Sequence, residues 1–153
     1  MSFKVDIKVK AEPFEGLEIY KQRMDTFMVL AGASLNELLT HESAQRPDGK
    51  GNPDGAVDTG NLSNSFFIIE QDDERVRVGT NVEYALGLAK GLPDPSASLE
   101  FIREWRERKN VPRRAKQVYD KITTEGPIAN PFHERAMDDF LLRVDEMLEE
   151  AWK

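Results

Sequence analysis

Positions 3 to 10 alternate, with Phe3, Val5, Ile7 and Val9 apolar and Lys4, Asp6, Lys8 and Lys10 charged. A period of two sets one apolar face on a core and one charged face in solvent, so a β-strand is expected here. Lysines along such a strand also discourage stray edge pairing. From Phe14 to Ala44 the period changes: Leu17, Tyr20, Met24, Phe27, Ala31, Leu35 and Leu38 are spaced by three or four. That is one stripe of a helix about 45 Å long at about 1.5 Å per residue. Gly16 and Gly32 weaken it and mark places for a kink or an earlier start. The stripe suits a core-facing helix, with a coiled coil to a partner chain as the alternative.

The stretch from Arg46 to Val57 is rich in Gly, Pro, Asp and Asn and offers almost nothing to bury, so a mobile loop is expected over about 46–57. Beyond it, Phe66 to Glu70 and Arg75 to Val78 are expected to pair as a hairpin around Gln71-Asp72-Asp73-Glu74. A short helical turn is expected within 82–91. Leu99, Ile102 and Trp105 define one helix face and Ala115, Val118, Tyr119 and Ile122 another, with Pro112 between them. Gly126 is suited to a left-handed cap on the second of these helices, and Pro127 forbids its continuation. Asn130 is expected to cap a last helix with Pro131 in its first turn. Ala136, Phe140, Val144, Met147, Leu148 and Ala151 are expected to line the buried face of that helix.

A chain of 153 residues with 39% hydrophobic content fits one domain, 1–153, around a single core. The net charge of −7 argues against tight binding of nucleic acid, which depends on Lys and Arg neutralising phosphates. With no Cys, neither a disulfide nor a Cys-ligated metal is available, and assembly in the cytoplasm is expected. No apolar run is long enough to span a bilayer, so neither export nor a membrane partner is expected. The charge is uneven, however. Arg103 to Lys121 carries eight cations against three anions, a local balance of +5, and Arg103, Arg106, Arg113 and Arg114 are candidate interface residues. Asp138 to Lys153 carries six anions against two cations, a balance of −4. Opposite patches on one chain favour head-to-tail association, the geometry that closes into rings.

Spacing decides among the candidate chemistries. Asp58-Thr59-Gly60 is the signature triplet of retropepsin-like aspartic proteases, in which paired carboxylates share a proton. There, however, the triplet follows a buried apolar strand and precedes Ala or Ser, whereas here it ends a Gly-rich loop and precedes Asn61-Leu62. The turn reading has Asp58 capping with its side chain, Gly60 supplying a special backbone conformation and Leu62 anchoring the turn to the core. The acidic loop fails the EF-hand register, since starting at Asp48 sets Pro53 where Gly is required. His41 and His133 lack metal-site spacing and are expected as surface or capping residues. No G-x-S-x-G elbow is present.

In order along the chain stand Asp58-Thr59-Gly60-Asn61-Leu62-Ser63-Asn64-Ser65-Phe66, then Val78-Gly79-Thr80-Asn81-Val82-Glu83-Tyr84-Ala85, then Ala129-Asn130-Pro131-Phe132-His133-Glu134-Arg135-Ala136. Together they resemble the head-tail joining family of long-tailed bacteriophages, also called neck or tail-completion proteins, whose pattern runs T-G-x-L-x-x-S, V-G-T-x-x-x-Y-A and a P-F that opens a C-terminal helix. A Trp-containing basic helix at Trp105 and a helix ending at Gly126 extend the likeness. After Tyr84-Ala85 the chain departs from it, with Leu86 to Gly91 where relatives often carry Val-Glu-x-Gly-Thr. The resemblance implies an α+β fold, a small antiparallel sheet packed by a long N-terminal helix and C-terminal helices. It further implies a virion protein without enzymatic activity, cofactor or metal. Such a protein forms a symmetric, six-fold ring that joins the portal and connector to the tail tube and lets DNA pass. Tail-terminator and minor tail proteins share the domain and are the nearest alternative.

Overall fold

The computed structural model describes residues 3–9, 18–46, 49 and 60–153. The alternating segment forms β1 (Phe3–Lys8), and the striped segment forms α1 (Glu18–Ala44). A 3₁₀ turn (Ser63–Ser65) then leads into β2 (Phe67–Gln71) and β3 (Arg75–Thr80). Four further helices follow: α2 (Ala85–Lys90), α3 (Leu99–Arg108), α4 (Ala115–Thr124) and α5 (Phe132–Ala151). The expected loop 46–57 lies outside the described residues save for Arg46 and Gly49, as do Leu17, Asp58 and Thr59. No helix among the described residues is long and apolar enough to cross a membrane.

The fold is α+β, with an antiparallel sheet in the order β1-β3-β2. Phe3 faces Thr80, Val5 faces Val78 and Ile7 faces Val76, which sets the apolar residues of β1 and β3 on one side of the sheet. On the other side Arg77 lies between Asp6, 2.5 Å away, and Glu70, 3.3 Å away. The hairpin turn is held by Asp72, whose Oδ1 accepts from the backbone N–H of Glu74 and Arg75 at 2.8 and 2.7 Å.

The apolar side of the sheet rests on α1, and α1 packs along α5. Met24, Phe27, Ala31, Leu35 and Leu38 are buried as the stripe requires, and Met28 and Leu39 widen it. Gly32 does not end the helix, because it is where the sheet comes close. A Cβ there would meet Gln71 Oε1 at 2.9 Å and Val76 Cγ1 at 3.2 Å. On α5, Ala136, Phe140, Met147 and Ala151 are buried and Val144 half-buried, but Leu148 is exposed. The expected stripe holds except at Leu148, and Phe132 extends it at the start of the helix.

Two chain reversals depend on glycine. Gly60 has φ +73° and Gly126 φ +89°, both in the left-handed region that disfavours side chains. Gly126 caps α4 through its N–H to Lys121 O at 3.0 Å, and a Cβ there would strike the backbone of Gly91 and Leu92, which lie close against it. That contact ties the end of the α3–α4 hairpin to the end of α2. Asn130, in contrast, does not cap α5. Pro131 occupies the N-cap position without a side-chain bond, and the Asn130 side chain is turned inward.

Candidate functional site

The segments that resemble the phage family lie far apart in sequence and meet at one end of the sheet. After the Gly60 reversal, Leu62 is buried and the 3₁₀ turn brings Ser65 against the end of β3. The backbone N–H of Val82 donates to Thr80 Oγ1 at 3.1 Å, and Ser65 Oγ donates to Leu62 O at 2.6 Å. The two hydroxyls are 2.5 Å apart. Since the Ser65 proton is already committed to Leu62 O, Thr80 supplies the proton between them, which orients the whole chain of bonds in one direction. Thr80 is fully buried and Ser65 and Val82 half-buried, so this chain is a polar seam at the edge of the core.

Around the seam stands an aromatic cluster. The Phe132 ring centroid is 5.9 Å from that of Phe66 and 5.3 Å from that of Phe3. Ala85 is buried in the main core to which these rings belong. Gly79 is there for space, since a Cβ would strike the Phe3 carbonyl oxygen and approach Ile69 Cδ1 at 2.8 Å. Leu62, Ser65, Gly79, Thr80, Ala85 and Phe132 are thus brought together. Tyr84 is exposed at the start of α2, and Pro131 is half-buried ahead of α5. Trp105 and Gly126 belong to the α3–α4 hairpin, outside this cluster.

A second polar feature binds the ends of α1, α2 and α5. Asn130 Nδ2 donates to Gln45 O at 3.1 Å, and Asn130 Oδ1 accepts from Arg135 Nη2 at 2.9 Å. The backbone N–H of Asn130 donates to Leu88 O at 2.9 Å. Arg135 also bonds the buried Glu42, through Nε to Oε2 at 2.6 Å and Nη2 to the main-chain oxygen at 3.0 Å. Glu42 and Arg135 escaped the sequence reading because a charged residue within a helix pattern reads as a solvent position. The one available signal was Glu42 falling beside Leu38 and Leu39 on the apolar stripe.

His133 also differs from its expected surface place. Its ring packs edge-on against Phe3 at 5.2 Å, and its Nδ1 is buried with no hydrogen-bond partner. Burial pushes its pKa below 6.5, with Lys90 and Arg135 acting in the same direction and Glu134 opposing. His41 is exposed, with its Nδ1 3.0 Å from Glu42 Oε1.

The candidate interface arginines divide into two kinds. Arg103, Arg113 and Arg114 are exposed. Arg106 is half-buried and donates from Nε to Val111 O at 3.1 Å, which locks the α3–α4 connection rather than offering a contact. Two exposed apolar features were missed by the sequence reading. One is Phe67-Ile68-Ile69 on β2, whose outer edge has no partner strand among the described residues. The other is Leu141-Leu142 on α5. Runs of adjacent apolar residues that break an alternating or helical period were the signal for both.

Chemically, these groups are suited to packing and docking. The Arg77 guanidinium beside Asp6 holds that carboxyl below its ordinary range, which keeps it ionised and paired. Among the described residues no group of three or more His, Cys, Asp or Glu is placed to hold a metal ion. No protein-family model, no curated protein and no solved structure matches the chain.

Proposed function

We propose that the protein is a structural component of the head-tail junction of a tailed bacteriophage. In this reading it has no enzymatic activity and no cofactor. Copies of the chain assemble as a six-fold ring in the virion, between the portal and connector on one side and the tail tube on the other, with the genome passing through. One observation carries the reading: the three stretches that resemble the family converge on a single seam, with Ser65 and Thr80 2.5 Å apart and Phe132 packed edge-on against Phe66. A chance likeness of short motifs gives no reason for them to meet in space. The mix of opposite charge patches is consistent with an assembling subunit.

Electron microscopy and mass measurement of the purified chain, alone and mixed with the products of genes adjacent to its own, test this. Closed rings are expected in at least one mixture. A monomer in every mixture would overturn it, and so would peptide cleavage at acid pH that Asp58→Asn abolishes.

A further inference from the structure

The α3–α4 hairpin joins the rest of the fold through its Gly126 end and the backbone bond from Asp94 to Ile122 O. Its buried residues, Ile102 and Ala115, do not join the main core cluster, and α3 and α4 pack chiefly on each other. Phe101 is left 55% exposed, with the Arg108 guanidinium 6.0 Å from its ring centroid. Arg103, Arg113, Arg114, Lys116 and Lys121 are exposed on the same hairpin, Lys116 being paired with Asp120 at 3.0 Å. This arm therefore presents an apolar residue within the most basic part of an acidic protein.

The outward face of α5 has the opposite character. Glu134, Asp138, Asp145 and Glu149 recur at helical spacing and are all exposed. Between them stand Leu141, 61% exposed, and Leu142, 79% exposed. Arg143, the only Lys or Arg between Asp138 and Glu149 in the sequence, points to another side, 3.7 Å from Glu37 of α1. Adjacent leucines this exposed in the middle of a long helix mark a surface that something covers.

Resting on the ring reading above, we propose that the α3–α4 hairpin of one copy docks on the acidic leucine ridge of α5 in the next. Phe101 meets Leu141 and Leu142, while the flanking arginines and lysines meet the carboxylates. The occupant is a second copy of this chain because the complementary surface is on the chain itself. Pairing either face with its own equivalent would oppose carboxylate to carboxylate or arginine to arginine, which costs free energy. Two different faces in contact make a head-to-tail interface, which a closed ring requires.

Two charge reversals test this in the full chain: Arg103→Glu with Arg113→Glu, and Asp138→Lys with Asp145→Lys. All four positions are exposed, so folding is expected to survive, as circular dichroism will check. Each double variant alone is expected to self-associate about tenfold or more weakly in sedimentation velocity at low salt, because each now opposes like charges. Mixed in equal amounts, the two variants restore association, since each supplies the surface that the other needs. A disulfide trap adds a geometric readout, as the chain has no cysteine of its own. Phe101→Cys and Leu142→Cys, mixed and oxidised, are expected to cross-link to each other and not to themselves.

Failure of mixing to restore association would overturn the proposal, as would a cross-link joining like positions. So would a wild-type chain that stays monomeric at all concentrations, although a ring formed only with neck partners would then leave the phage reading standing. Loss of duplex-DNA retention in the arginine variant with unchanged sedimentation would assign the hairpin to nucleic acid and remove the second copy as its partner. Conversely, trapped head-to-tail chains that never close or join neck partners would sustain the interface and sink the phage reading.

Discussion

Asn130 is the position where one substitution is expected to do most damage outside the aliphatic core. The residue is 0% exposed and ties three helix ends together with its side chain and backbone. Asn130→Ala keeps the backbone bond to Leu88 but removes two side-chain bonds. Loss of the bond to Gln45 O is worth about 1 kcal/mol, and loss of the one from the Arg135 guanidinium about 1.5 to 3 kcal/mol. The second value falls near its lower end, because the Arg135 side chain is 22% exposed and keeps Glu42. The expected total is roughly 2 to 3 kcal/mol, or a drop of about 6 to 9 °C in Tm for a chain of this size. Urea and thermal unfolding, followed by circular dichroism, measure it. The cost is expected to be non-additive with Arg135→Met, since the two residues share a bond. A loss of about 0.5 kcal/mol or less, the size of an ordinary surface substitution, would refute the assignment of this node.

Two further outcomes follow from the same end of the sheet. Gly79→Ala sets a methyl against the Phe3 carbonyl, so β1 must move off β3, at a cost of about 1 to 3 kcal/mol; urea unfolding within about 0.5 kcal/mol of wild type would show that the strand yields freely. His133 makes stability dependent on pH, because its folded pKa is lowered by burial. Above pH 6.5 the imidazole is neutral in both states and contributes no pH dependence; as pH falls through 6.5 the unfolded chain binds the proton first and stability is lost down to the lowered folded value. Subtracting the stability profile of His133→Leu from that of wild type isolates this loss, and a flat difference between pH 7 and pH 5 would contradict it.

Most of the elements were legible because their periods are clean. β1 alternates, α1 repeats every three or four residues, and the Gly126-Pro127 stop ends α4 where capping chemistry requires. Polar groups turned inward were not legible. Asn130 ahead of Pro131 reads as a cap, and only the approach of Gln45 and Arg135, 85 and 5 residues away, gives its side chain better partners. Leu148 failed for a related reason: a leucine in the last turns of a helix matches the pattern whether or not anything lies opposite it. The candidate surfaces were half legible. Charge balance located the hairpin and α5, but exposure divided Arg106 from Arg103 and Arg113.

The division of labour between charge and apolar surface in the proposed interface has a consequence of its own. The chain is acidic overall at −7, so two copies at long range repel, and the basic hairpin must act locally against that field. At about 0.1 M salt, exposed charges are screened over about 10 Å. Repulsion between whole copies is then damped, while contacts within a few ångströms persist. Phe101 and the two leucines add a contribution that salt does not screen, since it depends on apolar area removed from water. Association of copies is therefore expected to be strongest at intermediate ionic strength, falling at very low salt through net repulsion and at high salt through lost ion pairs. Leu142→Ser lowers association at every salt concentration, whereas the arginine reversals act mainly at low salt. A uniform salt response across both kinds of variant would mean that the leucine ridge and the basic hairpin do not meet.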